Sequence, residues 1–125
     1  MVKFSLVRFK VSLFYSFIDV EGGGFMPIVE FSVVPIGTKT PSVSEYVVKA
    51  VKVLKKYSNL KFEVTPMGTV IEGDDLSEIL KVILEAHEAV FKAGAQRVVT
   101  TIKIDDRRDK KETMEYKVRS VKNKI

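Results

Sequence analysis

The chain has no cysteine and a single histidine, His87. The first absence excludes a disulfide framework, a thiol nucleophile and a thiolate-held metal, and the second removes most zinc, di-iron and Ser-His-Asp chemistries. Neither a metal site nor a catalytic constellation is expected, and a reducing cytoplasm is the compartment that fits. Long apolar runs are missing too: "VSLFYSFI", residues 11–18, is far too short to span a bilayer, so no membrane partner is expected. Charge of one sign is also scarce where it would count. The net charge is +5, yet nine acids balance nine bases from Met26 to Ile102, and most of the excess falls in residues 103–125, with nine bases against five acids. That segment interleaves its signs through Asp105, Asp106, Arg107, Arg108, Asp109 and Lys110, whereas a phosphate-binding face concentrates one sign. Nucleic acid is therefore not an expected partner.

What remains, 125 residues with 46% hydrophobic and 30% charged, has the size and balance of one compact domain. Its start is ambiguous. Phe9 to Phe17 alternates apolar and mostly polar residues with the period of a strand. Lys3, Arg8 and Lys10 ahead of an apolar stretch resemble a targeting segment, but no small-x-small cleavage site follows. Glu21-Gly22-Gly23-Gly24 can be encoded by a purine-rich stretch that looks like a ribosome-binding site just ahead of the Met26 codon, which makes Met26 a candidate native start. Residues 1–25 are accordingly treated as a leader of doubtful status and residues 26–125 as a single domain.

From Met26 the patterns sharpen. "PIVEFSVVP" puts Val29, Phe31 and Val33 on one face of a strand and Glu30, Ser32 and Val34 on the other, and Pro35 with Gly37 turns the chain. "PSVSEYVVKAVKVLKKY" repeats its apolar positions at three- and four-residue steps, with Ser42 and Glu45 spaced as a capping box. "LKFEVT", "PMG" and "TVIEG" form a hairpin. A second helix runs from about Leu76 to Phe91, with Asp75 as its cap and Gly94 as its stop. "QRVVTTIKI" is a β-branched strand, and "KETMEYKVRSV" forms a short last helix with Met114, Val118 and Val121 aligned. The order βαββαβ plus a terminal helix is satisfied most economically by a ferredoxin-like α+β sandwich, with the two main helices on one sheet face. The other face then shows Val34 beside polar residues, which favours association into a homo-oligomer.

Taken together, "MPIVEFSVVPIGT", "SVSEYVVKAVKVL", "KFEVTPMGTVIEG", "EAHEAVFKAGAQRVVTTIKIDDRRDK" and "KVRSV" resemble the thiamine-binding-protein-like family of small proteins related to YkoF. The likeness spans Met26 to Val121 and excludes the leader. It implies a ferredoxin-like fold, homo-oligomers that are often tetramers, and binding of thiamine or its hydroxymethylpyrimidine moiety without an established reaction and without a required cofactor. On that footing Glu30 is the carboxylate to accept from the amino group of the pyrimidine, and Ser32 or Thr69 fixes the ring's orientation. Pro35, Gly37 and Thr38 supply the loop after the first strand, Met67 and Gly68 a polarizable wall and a close backbone approach. Glu72 complements a cationic ring or pairs with a lysine across an interface. Each has a plainer reading: a structural ion pair for Glu30, a tolerated strand serine, ordinary turns, and surface solvation for Glu72. His87, flanked by apolar residues at helical offsets, is expected to be structural, and the run from Asp105 to Lys110 to be a salt-bridge network.

Two other classes compete with a non-catalytic binder. A ferredoxin-fold enzyme of the acylphosphatase type needs an arginine in the loop after the first strand, and here "PIGTKTPS" offers only Lys39. A structural or regulatory homo-oligomeric module would assemble without any saturable ligand site.

Overall fold

The computed structural model describes residues 25–125; the strand expected at Phe9–Phe17 lies outside the described residues. Four strands, β1 (Ile28–Ile36), β2 (Lys61–Thr65), β3 (Gly68–Glu72) and β4 (Arg97–Asp105), alternate with three helices, α1 (Ser44–Leu54), α2 (Leu76–Lys92) and α3 (Met114–Lys122). The strands form one antiparallel sheet in the order β2-β3-β1-β4. This is the ferredoxin-like α+β arrangement, in which each βαβ unit straddles the strand between its ends.

The local chemistry explains most boundaries. The Asp75 side chain accepts hydrogen bonds from the backbone N–H groups of Ser77 and Glu78 and so caps α2. Gly94 ends the same helix at φ 111°, a conformation that side chains with a Cβ rarely adopt. The Thr65 hydroxyl pins the Pro66-Met67 turn, accepting from the Gly68 N–H at 3.1 Å and donating to the Gly68 carbonyl at 2.8 Å. At α1 the outcome differs from expectation. Ser42 and Glu45 form no capping box, the N-cap is Val43, and no side chain caps the helix. The loop satisfies itself instead: Thr38 donates to the Thr40 carbonyl at 2.7 Å and Thr40 to the Ser42 carbonyl at 3.1 Å, which draws residue 42 into a chain of hydroxyl turns before the helix begins.

Alternation along β1 sends Val29, Phe31 and Val33 into the core against α1 and α2, where Leu54, Ile71, Ile79 and Ile83 are fully buried. His87 sits on α2 with Nδ1 2.6 Å from the Thr100 hydroxyl and its ring edge-on to Phe91, a structural placement. The register puts Lys61, Glu72, Ile28 and Asp105 in one row across the opposite face. α3 straddles that row, pairing Glu115 with Lys61 and Lys117 with Asp105, and buries Met114. The rest of its apolar stripe, Val118 and Val121, remains exposed. Between β4 and α3, Arg107 bonds Asp109 and Glu112 while Lys110 bonds Glu112, the network expected of this run. The hydrogen bond from Arg107 holds the Asp109 carboxyl down at about 2, and that from Lys110 lowers Glu112.

Candidate functional site

The β2–β3 hairpin is shorter than the strand it joins. β1 pairs with β4 along all nine of its residues but with β3 only from Ile28 to Phe31, because β3 begins at Gly68. Where β3 stops, a cleft of about 190 Å³ opens between the hairpin turn, the second half of β1 and α1. Its apolar walls come from Phe31 and Val33 on β1, Val64 on β2, and Val43, Val47 and Val51 on and beside α1. Polar groups are few: Ser32, Thr65 and Thr69. An apolar hollow with a handful of hydroxyls suits a planar, weakly polar ring. The volume is below the range of about 300–1,000 Å³ usual for drug-sized ligands, so it matches one substituted ring and not a long molecule.

Four of the residues singled out in the sequence meet here. Ser32, Met67, Gly68 and Thr69 all line the cleft. Thr69 is 4% exposed, while Met67, 85% exposed, forms the outer lip. Gly68 is there for space: a Cβ at this position would lie 2.8 Å from the Phe31 carbonyl oxygen, too close for the two strands to stay paired. The other five fall elsewhere. Glu30 projects from the open sheet face and is exposed, with its Cγ passing beside Gly68 just outside the cleft. Pro35 is buried on the helix side, farther along β1. Gly37 provides a positive φ of 79° for the turn and has open space around it, and the Thr38 hydroxyl is engaged with Thr40. None of these three lines the cleft.

Glu72 departs most from the plain expectation of surface solvation. It is 3% exposed, and its Oε2 has no hydrogen-bond partner among the described residues. The cause is α3, whose first turn covers the row in which Glu72 stands. The register sets Glu72 opposite Ile28 on the open face, and only the docking of a helix more than forty residues later decides that this part of the face is sealed. The residues that the sequence reading did not single out as site residues are the α1 valines, whose helical spacing marks them simply as core.

A larger hollow of about 410 Å³ runs along α3 beside Tyr116, Arg119 and Asn123, but one helix alone builds it and no expected site residue reaches it. Among the described residues, no group of three acidic, histidine or cysteine side chains is placed to hold a metal ion, and no helix is long and apolar enough to cross a membrane.

Comparison with known proteins adds to this geometry. Residues 29–122 match the family described as thiamine-binding protein. The UPF0045 protein of Methanothermobacter thermautotrophicus is 49% identical over 100 residues, 80% of this chain and 100% of that protein. UPF0045 protein YqgV of Bacillus subtilis is 50% identical over 77% of this chain and 94% of its own length. Among solved structures, protein MJ1052 of Methanocaldococcus jannaschii superposes with a TM-score of 0.71 at 48% identity, covering 78% of this chain and 96% of that one. A candidate thiamine biosynthesis/salvage protein of Thermotoga maritima superposes at 0.65 with 26% identity, covering 77% and 98%.

Proposed function

The chain belongs to the thiamine-binding protein family, and on that premise we propose that it is a non-catalytic binder of thiamine or its hydroxymethylpyrimidine moiety, held in the cleft between β1, the β2–β3 turn and α1. The observation that carries this reading is the cleft itself: an apolar slot sized for one ring, with the Ser32 and Thr69 hydroxyls among its few polar groups. The slot offers no acid–base pair and no nucleophile–base pair, so its chemistry is that of holding a molecule. The pyrimidine enters the slot, and the thiazolium of intact thiamine extends past Met67 toward the open face, where the exposed Glu30 carboxylate complements its charge.

Calorimetric titration with thiamine and with hydroxymethylpyrimidine tests this. Saturable binding is expected from both, with Thr69→Val weakening each by about 0.5–1.5 kcal/mol through loss of a neutral hydrogen bond. Glu30→Gln should affect thiamine alone, and only by about 0.2–1 kcal/mol, because an exposed charge is well screened. Absence of heat from either compound with a folded protein sinks the reading.

The open sheet face favours a further element of the same proposal. Val34, Ile36 and Val99 are exposed there, and Val34 stands directly opposite Val99 in the ladder, beyond the part that α3 covers. A second copy of the chain is the natural cover for this apolar strip, in keeping with a homo-oligomer and, through the family resemblance, a tetramer. In light scattering, the protein should exceed the monomer mass at micromolar concentration and Val34→Lys should reduce it. A monomeric wild type that still binds ligand would separate binding from assembly. An assembled protein that binds nothing would instead favour a structural module.

A further inference from the structure

The register of β1 fixes more than which side chains share a face. In an antiparallel pair, every second residue directs both its N–H and its C=O at the same neighbouring strand. Gly73 donates its N–H to the Pro27 carbonyl, and one step of the ladder farther on stands the pair Ile28 and Glu72. Alternation then turns the backbone groups of Val29 and Phe31 toward β3 and those of Ile28, Glu30 and Ser32 toward β4. Two independent features agree. The Phe31 carbonyl oxygen lies against Gly68, the first residue of β3. Pro35, which has no N–H, is accommodated within β1 opposite Val98 of β4, as it can be only where the missing donor would face away from that partner.

Val33 follows in the same series, but β3 has already ended. Its N–H and C=O therefore point into the space where the next residue of β3 would stand, and that space is the cleft, which Val33 lines. No hydrogen bond to either group is made among the described residues. A backbone donor and acceptor aimed together into a cleft, with no strand opposite them among the described residues, mark a place where a ligand edge can stand in for the missing strand. Pro35, the next residue facing that way, brings no donor, so Val33 alone offers an adjacent donor–acceptor pair.

We infer that Val33 reads the edge of an aminopyrimidine as it would read a neighbouring strand. The ring nitrogen accepts from the Val33 N–H, and the exocyclic amino group beside it donates to the Val33 C=O. The ring then lies in the plane of the sheet as a continuation of β3, with one face against Val47 and Val51 of α1. This rests on the ligand reading given above and deepens it: specificity for an amino group next to a ring nitrogen comes from main chain, and the side chains of Ser32 and Thr69 refine it.

The experiment uses the full chain labelled with 15N, and two probes: 4-amino-5-hydroxymethyl-2-methylpyrimidine and the same compound with hydrogen in place of the amino group. In the free protein the Val33 amide should exchange with solvent faster than those of Val29 and Phe31, which are paired with β3. On saturation with the amino compound its resonance should move downfield and its exchange slow by at least about tenfold, and the compound without the amino group should bind about tenfold or more weaker, as expected when a buried carbonyl is left unpaired. Saturable binding with an unchanged Val33 amide, equal affinity for the two probes, or a Val33 amide already protected in the free protein overturns the inference and leaves the binding function standing. No binding by either probe overturns both.

Discussion

Ile79→Ala should lower the stability of the domain by about 2–5 kcal/mol, the range for large-to-small changes in a closed core. Ile79 is fully buried on the first turns of α2, in the cluster with Leu54, Ile71 and Ile83, which are equally inaccessible. Its Cδ1 lies 3.3 Å from where a Cβ would stand on Gly73, so it also meets the chain that enters α2 from β3. With rigid neighbours on several sides, the walls have little room to collapse into the void, which argues for the upper half of that range. Domains are commonly stable by only about 5–15 kcal/mol, so the variant should lose a large share of its total stability. Denaturant titration at unchanged m-value is the check, and a loss below about 1 kcal/mol would mean that the core is looser than the burial indicates.

Gly68→Ala should combine a stability loss with loss of the ligand site. The added methyl meets the Phe31 carbonyl, a main-chain atom that cannot swing aside, so β3 must move off β1 at the point where the cleft begins. Such overpacking costs about 1–3 kcal/mol. The reduced freedom of the unfolded chain returns about 0.4–1 kcal/mol, which leaves a net destabilisation. Because the hairpin turn forms one wall of the cleft, affinity for the proposed ligand should fall with it, even under conditions where the variant is fully folded. Unfolding curves and calorimetry on the same preparation measure both effects. Stability equal to wild type would show that the hairpin yields without strain.

The sequence makes the order of elements legible because each carries its own period: two for "KFEVT", three and four for the stretch ending at Leu54, and cap and stop residues at Asp75 and Gly94. The ferredoxin-like topology then follows from few alternatives. What local pattern does not reveal is what depends on distant segments. Ser42 and Glu45 have the spacing of a capping box, but Thr38 and Thr40 hold the loop otherwise. Met114, Val118 and Val121 share a stripe, yet only the first is buried, because helix periodicity aligns residues without saying how far the surface beneath them extends. The cleft was half legible. Met67, Gly68 and Thr69 stand out as a turn with chemistry, whereas the gap itself arises from the mismatch in length between β3 and β1, a property of pairing that neither strand shows alone.

The position of α3 over Glu72 has an energetic consequence. The helix is held to the sheet by one buried side chain, Met114, worth about 1.5–3 kcal/mol, and by rim ion pairs worth about 0–1 kcal/mol each. Against these stands the carboxylate oxygen it seals from water without a partner, at a cost of about 1–3 kcal/mol. The cost offsets a good part of what holds the helix down, so α3 is expected to lift from the sheet more readily than the four strands and the two core helices unfold. Detachment of this kind would be a local opening, far less costly than global unfolding. Such an opening would hydrate Glu72 and uncover the row from Lys61 to Asp105, and faster amide exchange in α3 than in α1 and α2 is the expected sign of it.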